Sequence, residues 1–142
     1  MGRYIVKGLL DAGYTNIEVF TRSVRQADMS SSGNVIYTKG DIRELYPLSD
    51  SIDQADYIIH AAALVSFNPR EFRRMHAVNV DGTANVINLA SNANVKKVIH
   101  VSSIAALGRN EKGDPISEET RWVNSKYNSY YGITKYLAEQ EV

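Results

Sequence analysis

The chain has 142 residues, 44% hydrophobic and 23% charged, with a formal net charge of +0 at pH 7, which fits one soluble domain with a real core and gives no nucleic-acid footprint. It has no cysteine, which excludes disulfides, thiolate metal sites and a cysteine nucleophile. The three histidines show no metal-ligand spacing, the longest apolar stretch (near Tyr57 to Val65) is too short to span a bilayer, and no secretory signal opens the chain, so a cytoplasmic location is expected.

Helix-like and strand-like patterns alternate along the chain. Gly2 to Ala12 reads as a helix with Ile5, Val6, Leu9 and Leu10 on one face and Gly13 as its left-handed stop. Ile17 to Thr21 reads as a strand. The polar stretch from Ser23 to Asn34, with Ser30 to Ser32 and Gly33, reads as a weak helix and loop. Val35 to Thr38 is a second strand leading to Gly40 and Asp41, and Pro47 keeps the next helical piece short. Tyr57 to Ala61 is a third strand. Pro69 can start a long helix through about Asn92, with Phe72, Met75, Val78, Val86 and Leu89 near helical spacing. Val98 to Val101 is a fourth strand, a loop with Gly108, Gly113 and Pro115 follows, and a last helix holds Tyr131 to Val142. There is no internal repeat.

Short β-branched strands separated by helices imply an α/β fold with a doubly wound parallel sheet. Ligands in such sheets sit outside the carboxyl ends of the strands. The residues just after each strand therefore matter most: Thr21 and Arg22, Asp41, Ala61 to Ala63, and Ser102 with Ser103.

Tyr131 and Lys135 are four apart, so on a helix they share a face. A lysine cation beside a tyrosine favours the phenolate and brings its pKa towards the working range of a proton carrier. A nearby serine can hold a carbonyl or alcohol oxygen. The set suits a reaction in which a proton and a hydride move together. Four strand ends converging on one crevice give the Tyr-Lys pair a context that chance spacing would not.

The chain resembles the extended short-chain dehydrogenase/reductase family, the NAD(P)-dependent epimerase/dehydratase superfamily, over nearly all residues. The carriers are Gly40-Asp41-Ile42, His60-Ala61-Ala62-Ala63, Val78-Asn79-Val80-Asp81-Gly82-Thr83, Val101-Ser102-Ser103 and Tyr131-Gly-Ile-Thr-Lys135. The wording from His100 to Gly108 looks most like the dihydroflavonol-reductase-like branch. The resemblance implies that Tyr131 is the general acid/base and that Lys135 tunes it and bonds the nicotinamide ribose. It implies that Ser103 holds the reacting oxygen, with Ser102 nearer the nicotinamide. Asn79 would serve the site from inside the long helix. Asp41 and Ile42 would meet the adenine, and Ala61, Ala62 and Ala63 would let the backbone approach the cofactor. Each has a plainer alternative: Asp41 as a cap, the alanines as packing, Asn79 as a structural contact, the serines as satisfiers of a strand end, and His60 as a strand-end hydrogen-bonder.

The family places an acid at the end of its second strand when it selects NAD. Here that end reads Phe20-Thr21-Arg22-Ser23. Arg22, helped by Arg25, suits the extra phosphate of NADP, so NADP is expected ahead of NAD. Gly2 matches the last glycine of the family's pyrophosphate turn, while the preceding strand and the other two glycines have no counterpart. That strand is the central one, between the runs at Ile17 and Tyr57. Without it the sheet should split into two pairs with unpaired inner edges. The substrate lobe also has no counterpart after Val142. The expectation is therefore a partial NAD(P)-binding domain over residues 1–142, a fragment or an incomplete gene model, weak or inactive as it stands.

The parent is expected to be an NADP-dependent oxidoreductase acting on a carbonyl or secondary alcohol of a small molecule. A nucleotide-sugar epimerase or dehydratase with bound NAD and a non-catalytic nucleotide-binding module are the alternatives. A homodimer is expected through the two long helices, with no nucleic-acid or membrane partner and no metal.

Overall fold

In the computed structural model, which describes residues 1–24, 34–109 and 115–142, short β-branched runs alternate with helices. Helix α1 (Gly2–Asp11) presents Ile5, Val6, Leu9 and Leu10 as a half-buried stripe. Its end is a Schellman motif: Tyr14 N–H bonds Leu9 O and Gly13 N–H bonds Leu10 O, each at 3.0 Å. Gly13 takes φ 87°, where a Cβ would be strained, so the predicted left-handed stop is present. Strands β1 (Ile17–Thr21) and β2 (Val35–Lys39) follow, then α2 (Leu45–Asp53), with Pro47 in its first turn where an amide proton has no helical partner.

Strand β3 (Tyr57–His60) and strand β4 (Lys97–His100) both end on histidine. Their register pairs His60 with His100 and stops there, so each ends one residue earlier than the sequence pattern suggests. Residues 69–92 form one continuous helical run of uneven winding: a 3-10 turn (Pro69–Glu71), α3 (Phe72–His76), a π turn (Ala77–Asp81) and α4 (Gly82–Asn92). A 3-10 turn (Ile104–Leu107) follows β4, and α5 (Tyr130–Gln140) ends the chain. Arg25, Ser30 to Ser32, Gly33 and Gly113 lie outside the described residues. No helix among the described residues is long and apolar enough to cross a membrane.

Both strand pairs are parallel, and they form two separate two-stranded sheets, β1-β2 and β3-β4. The split into two pairs matches the expectation from the sequence. The two sheets nonetheless share one core. Phe20 of β1 and Ile58 of β3 both pack against Ile42, Leu48, Ile52, Val78, Val86 and Ala90. Ser51 of α2 donates a 2.7 Å hydrogen bond to Glu18. Alternate residues Glu18 and Phe20 therefore face α2, and Val19 faces the other way, where it lines a cavity with Val6 of α1 and Tyr37. Helices on opposite faces of parallel strands are the doubly wound arrangement.

Candidate active site

The first turn of α5 carries the central residues. Ser129 is its N-cap, with Oγ accepting the Gly132 N–H at 3.0 Å. Gly132 faces the 3-10 turn so closely that a Cβ would lie 2.7 Å from the Ala105 carbonyl oxygen. Only glycine permits that approach, and it brings the turn bearing Tyr131 against the turn that starts at Ser103. We expect Gly132→Ala to force the two turns apart and cost about 1–3 kcal/mol by overpacking. Thermal unfolding of the full-length variant checks this, and an unchanged Tm would contradict it.

Ser103 Oγ accepts the Ala105 N–H at 3.2 Å, which leaves its own proton to donate. Tyr131 is half-buried, and its hydroxyl has no hydrogen-bond partner among the described residues. Lys135, 1% exposed, donates from Nζ to Val101 O at 3.0 Å and to His100 Nε2 at 3.2 Å. Its hydrogen bonds go to the end of β4, and among the described residues none joins it to Tyr131. Burial pulls the Lys135 pKa below the ordinary lysine range, against the opposing pull of the Glu139 carboxylate. Ser102 donates its hydroxyl to Glu139 Oε1 and ties the end of β4 to α5.

Asn79 sits in the π turn, 1% exposed. Its Oδ1 accepts the Leu64 N–H at 2.7 Å, and Nδ2 donates to Leu64 O and to Thr134 Oγ1, both at 2.9 Å. Thr134 in turn donates to Tyr131 O at 2.9 Å. Both amide protons of Asn79 are thus committed to structure. Asn79 thereby holds α5 against the loop after β3, the structural contact of its plainer alternative. His60 follows its plainer expectation: its Nε2 lies 2.9 Å from Thr83 Oγ1. Thr83 gives its proton to Asn79 O at 2.6 Å, so His60 must be the donor. Burial foremost, then His100 and Lys135, push the His60 pKa down to about 4, so its ring is neutral near pH 7.

The nucleotide-facing candidates lie mostly on the other sheet. Nothing stands within 4 Å of a Cβ built on Gly2. A cavity of about 400 Å³ is lined by Met1, Gly2, Val19, Thr21, Ser23 and Tyr37, among others. It sets the N-terminus of α1 against the carboxyl end of β1, which suits phosphate oxygens. Arg22 is exposed just beyond β1, and Ala62 and Ala63 are exposed just beyond β3, with Ala61 half-buried. These small residues and the open helix start fit a dinucleotide.

Asp41 accepts from Arg43 N at 3.0 Å, Nε at 2.9 Å and Nη2 at 2.7 Å. Chiefly through the Arg43 side chain, its pKa falls from 3.8 to about 2. This Asx turn and ion pair close on Arg43 and do not cap the following helix, whose N-cap is Glu44 without a side-chain bond, so the capping alternative is corrected. Ile42 is 9% exposed in the core, packed against Gly82, and its carbonyl accepts from Asn85 Nδ2 at 3.0 Å. Its side chain serves the core in this structure.

Arg43, His100, Thr134 and Glu139 were not singled out by the sequence. A glycine inside a helix costs about 1 kcal/mol relative to alanine, so Gly132 was a readable sign of a close approach. His100 could have been found from the parallel register that sets it beside His60.

The model of the 3-beta hydroxysteroid dehydrogenase/isomerase family matches residues 1–142. Sterol demethylase protein B of Methylococcus capsulatus is 29% identical over 146 residues, covering 100% of this chain and 43% of that protein. Cinnamoyl-CoA reductase 1 of Petunia hybrida is 31% identical over 153 residues, covering 96% of this chain and 44% of that protein. A short-chain dehydrogenase/reductase superfamily protein from Agrobacterium tumefaciens, solved with bound NAD, superposes with a TM-score of 0.82 at 30% identity. That match covers 99% of this chain and 40% of the other. The chain thus spans roughly two fifths of the length of these relatives.

Proposed function

Because this chain belongs to the 3-beta hydroxysteroid dehydrogenase/isomerase family, we propose that its protein is an NADP-dependent oxidoreductase acting on a carbonyl or secondary alcohol of a small molecule. The observation that carries this reading is the contact of the Tyr131 turn with the Ser103 turn across Gly132, with Lys135 buried beneath. When bound, the nicotinamide supplies or accepts the hydride. Ser103 donates a hydrogen bond to the reacting oxygen. Tyr131 gives that oxygen a proton in reduction and takes it back in oxidation. The Lys135 charge favours the negative charge that develops there. Val101 O, His100 and Thr134 keep these groups in place.

Gly2 and the first turn of α1 would hold the pyrophosphate. The backbone at Ala61, Ala62 and Ala63 would pass close to the cofactor. Arg22 would pair with the 2′-phosphate, and the absence of an acid at the end of β1 supports NADP over NAD.

Full-length protein, mixed with NADPH or NADH and a panel of 3-oxosteroids and cinnamoyl thioesters, tests the reading through loss of reduced-nicotinamide absorbance. NADPH should be preferred. Arg22→Asp should weaken NADPH use by about 10- to 100-fold, the scale of one hydrogen bond to a charged group. Equal use of both cofactors by the unaltered protein would remove the NADP assignment. Turnover with neither, across carbonyl and alcohol panels, would remove the oxidoreductase.

A further inference from the structure

We propose that His100 is a positioning residue for Lys135: its Nε2 and the Val101 carbonyl together fix the lysine ammonium at the end of β4. The inference rests on the oxidoreductase reading for its kinetic consequence, and on geometry alone for the pairing. An ammonium has no lone pair, so at 3.2 Å from Lys135 Nζ the His100 Nε2 must be the bare nitrogen. The ring proton is then on Nδ1. Nδ1 is buried and has no partner. A ring free to choose would put its proton where it could be bonded. Here the lysine dictates the tautomer and leaves a donor orphaned.

The charged and titratable groups around the pair are few. His60 of β3 lies with its ring 5.2 Å from that of His100 and gives its own proton to Thr83. Glu139 of α5 receives Ser102 and draws on both Lys135 and His100. Asn79 and Thr83, which approach from the π turn and α4, are uncharged. Burial first, then the Lys135 charge, lower the His100 pKa below the usual 6.5. Burial foremost, then His100 and Lys135, lower the His60 pKa to about 4.

A protonated His100 would be a cation facing an ammonium, with no lone pair to offer. Lys135 would then keep only the Val101 carbonyl and swing. The sign follows: neutral His100 supports catalysis, so activity is present above its pKa and lost as pH falls through a value under 6.5. Glutamine offers an acceptor oxygen that does not titrate in this range, whereas leucine offers none.

The test uses the full-length protein. His100→Leu should lower kcat by about 10- to 100-fold at pH 8 with little change in KM for the carbonyl substrate. His100→Gln should recover part of that loss, and the acid limb that His100 gives below pH 6.5 should be absent. Nitrogen-15 NMR of the cofactor-free protein gives a readout apart from turnover. His100 should appear as the Nδ1–H tautomer, and Lys135→Met should raise its pKa. An Nε2–H tautomer, or an acid limb unchanged in His100→Gln, would overturn the positioning role while leaving the oxidoreductase intact. The expected tautomer in a protein with no turnover would overturn the oxidoreductase and retain the pair.

Discussion

Tyr131→Phe should lower kcat of the full-length protein by roughly 10²- to 10⁴-fold, the range for losing a positioned proton carrier. The substitution removes one oxygen and nothing that holds α5. The ring still fills its half-buried place. The N-cap bond runs from Ser129 Oγ to Gly132 N, and the Thr134 bond runs to the Tyr131 carbonyl. All of these survive. Dinucleotide affinity, measured by fluorescence titration, should therefore stay within a few-fold of its original value. A variant that loses affinity but keeps kcat would assign Tyr131 to binding and remove it from the chemistry.

Asn79→Leu should cost about 3–5 kcal/mol of stability. The side chains are close in size, so the effect is polar rather than steric. The change strands the Leu64 N–H and carbonyl beside a side chain that is 1% exposed, and removes the bond Thr134 Oγ1 accepts, although Thr134 keeps its own donation to Tyr131 O. Each unsatisfied buried group costs about 1–3 kcal/mol. Urea unfolding of the full-length protein measures the loss. A change under about 1 kcal/mol would show that the amide does not bind the loop after β3 to α5. The loss should also reach catalysis, because Thr134 links Asn79 to the backbone of Tyr131.

The alternation of elements was legible because local pattern and burial agree. The Ile17, Val35, Tyr57 and Lys97 runs are short and β-branched, and each ends close to where the polar residues begin. Gly13 stopped its helix for a local steric reason that any reader of the chain can apply. The split sheet was legible from a gap in the order of strands. What stayed hidden was partner choice across the fold. Spacing gave Lys135 a neighbour four residues away, while its hydrogen bonds go to a strand end more than thirty residues upstream. For Asp41 the sequence offered an adenine contact or a helix cap but not its partner Arg43, which loop curvature rather than helical or strand period brings to it. Asn79 was placed in a regular helix, since apolar spacing alone does not reveal the π turn. Three successive buried residues, Val78, Asn79 and Val80, show why it forms there: the segment lies between the core and α5 and must satisfy both sides.

That wide turn has a bearing on how the gene can change. It takes up one residue more than ordinary winding would, equivalent to roughly 100° of rotation about the axis. Upstream, Phe72 meets the ring of Tyr130 at 5.1 Å. Downstream, Val86 and Ala90 key into the apolar interior. A single-codon deletion between positions 77 and 81 would let the coil relax to uniform pitch only by swinging one of these seams out of register. Insertions and deletions here should therefore be rarer among descendants of this gene than substitutions at the same positions.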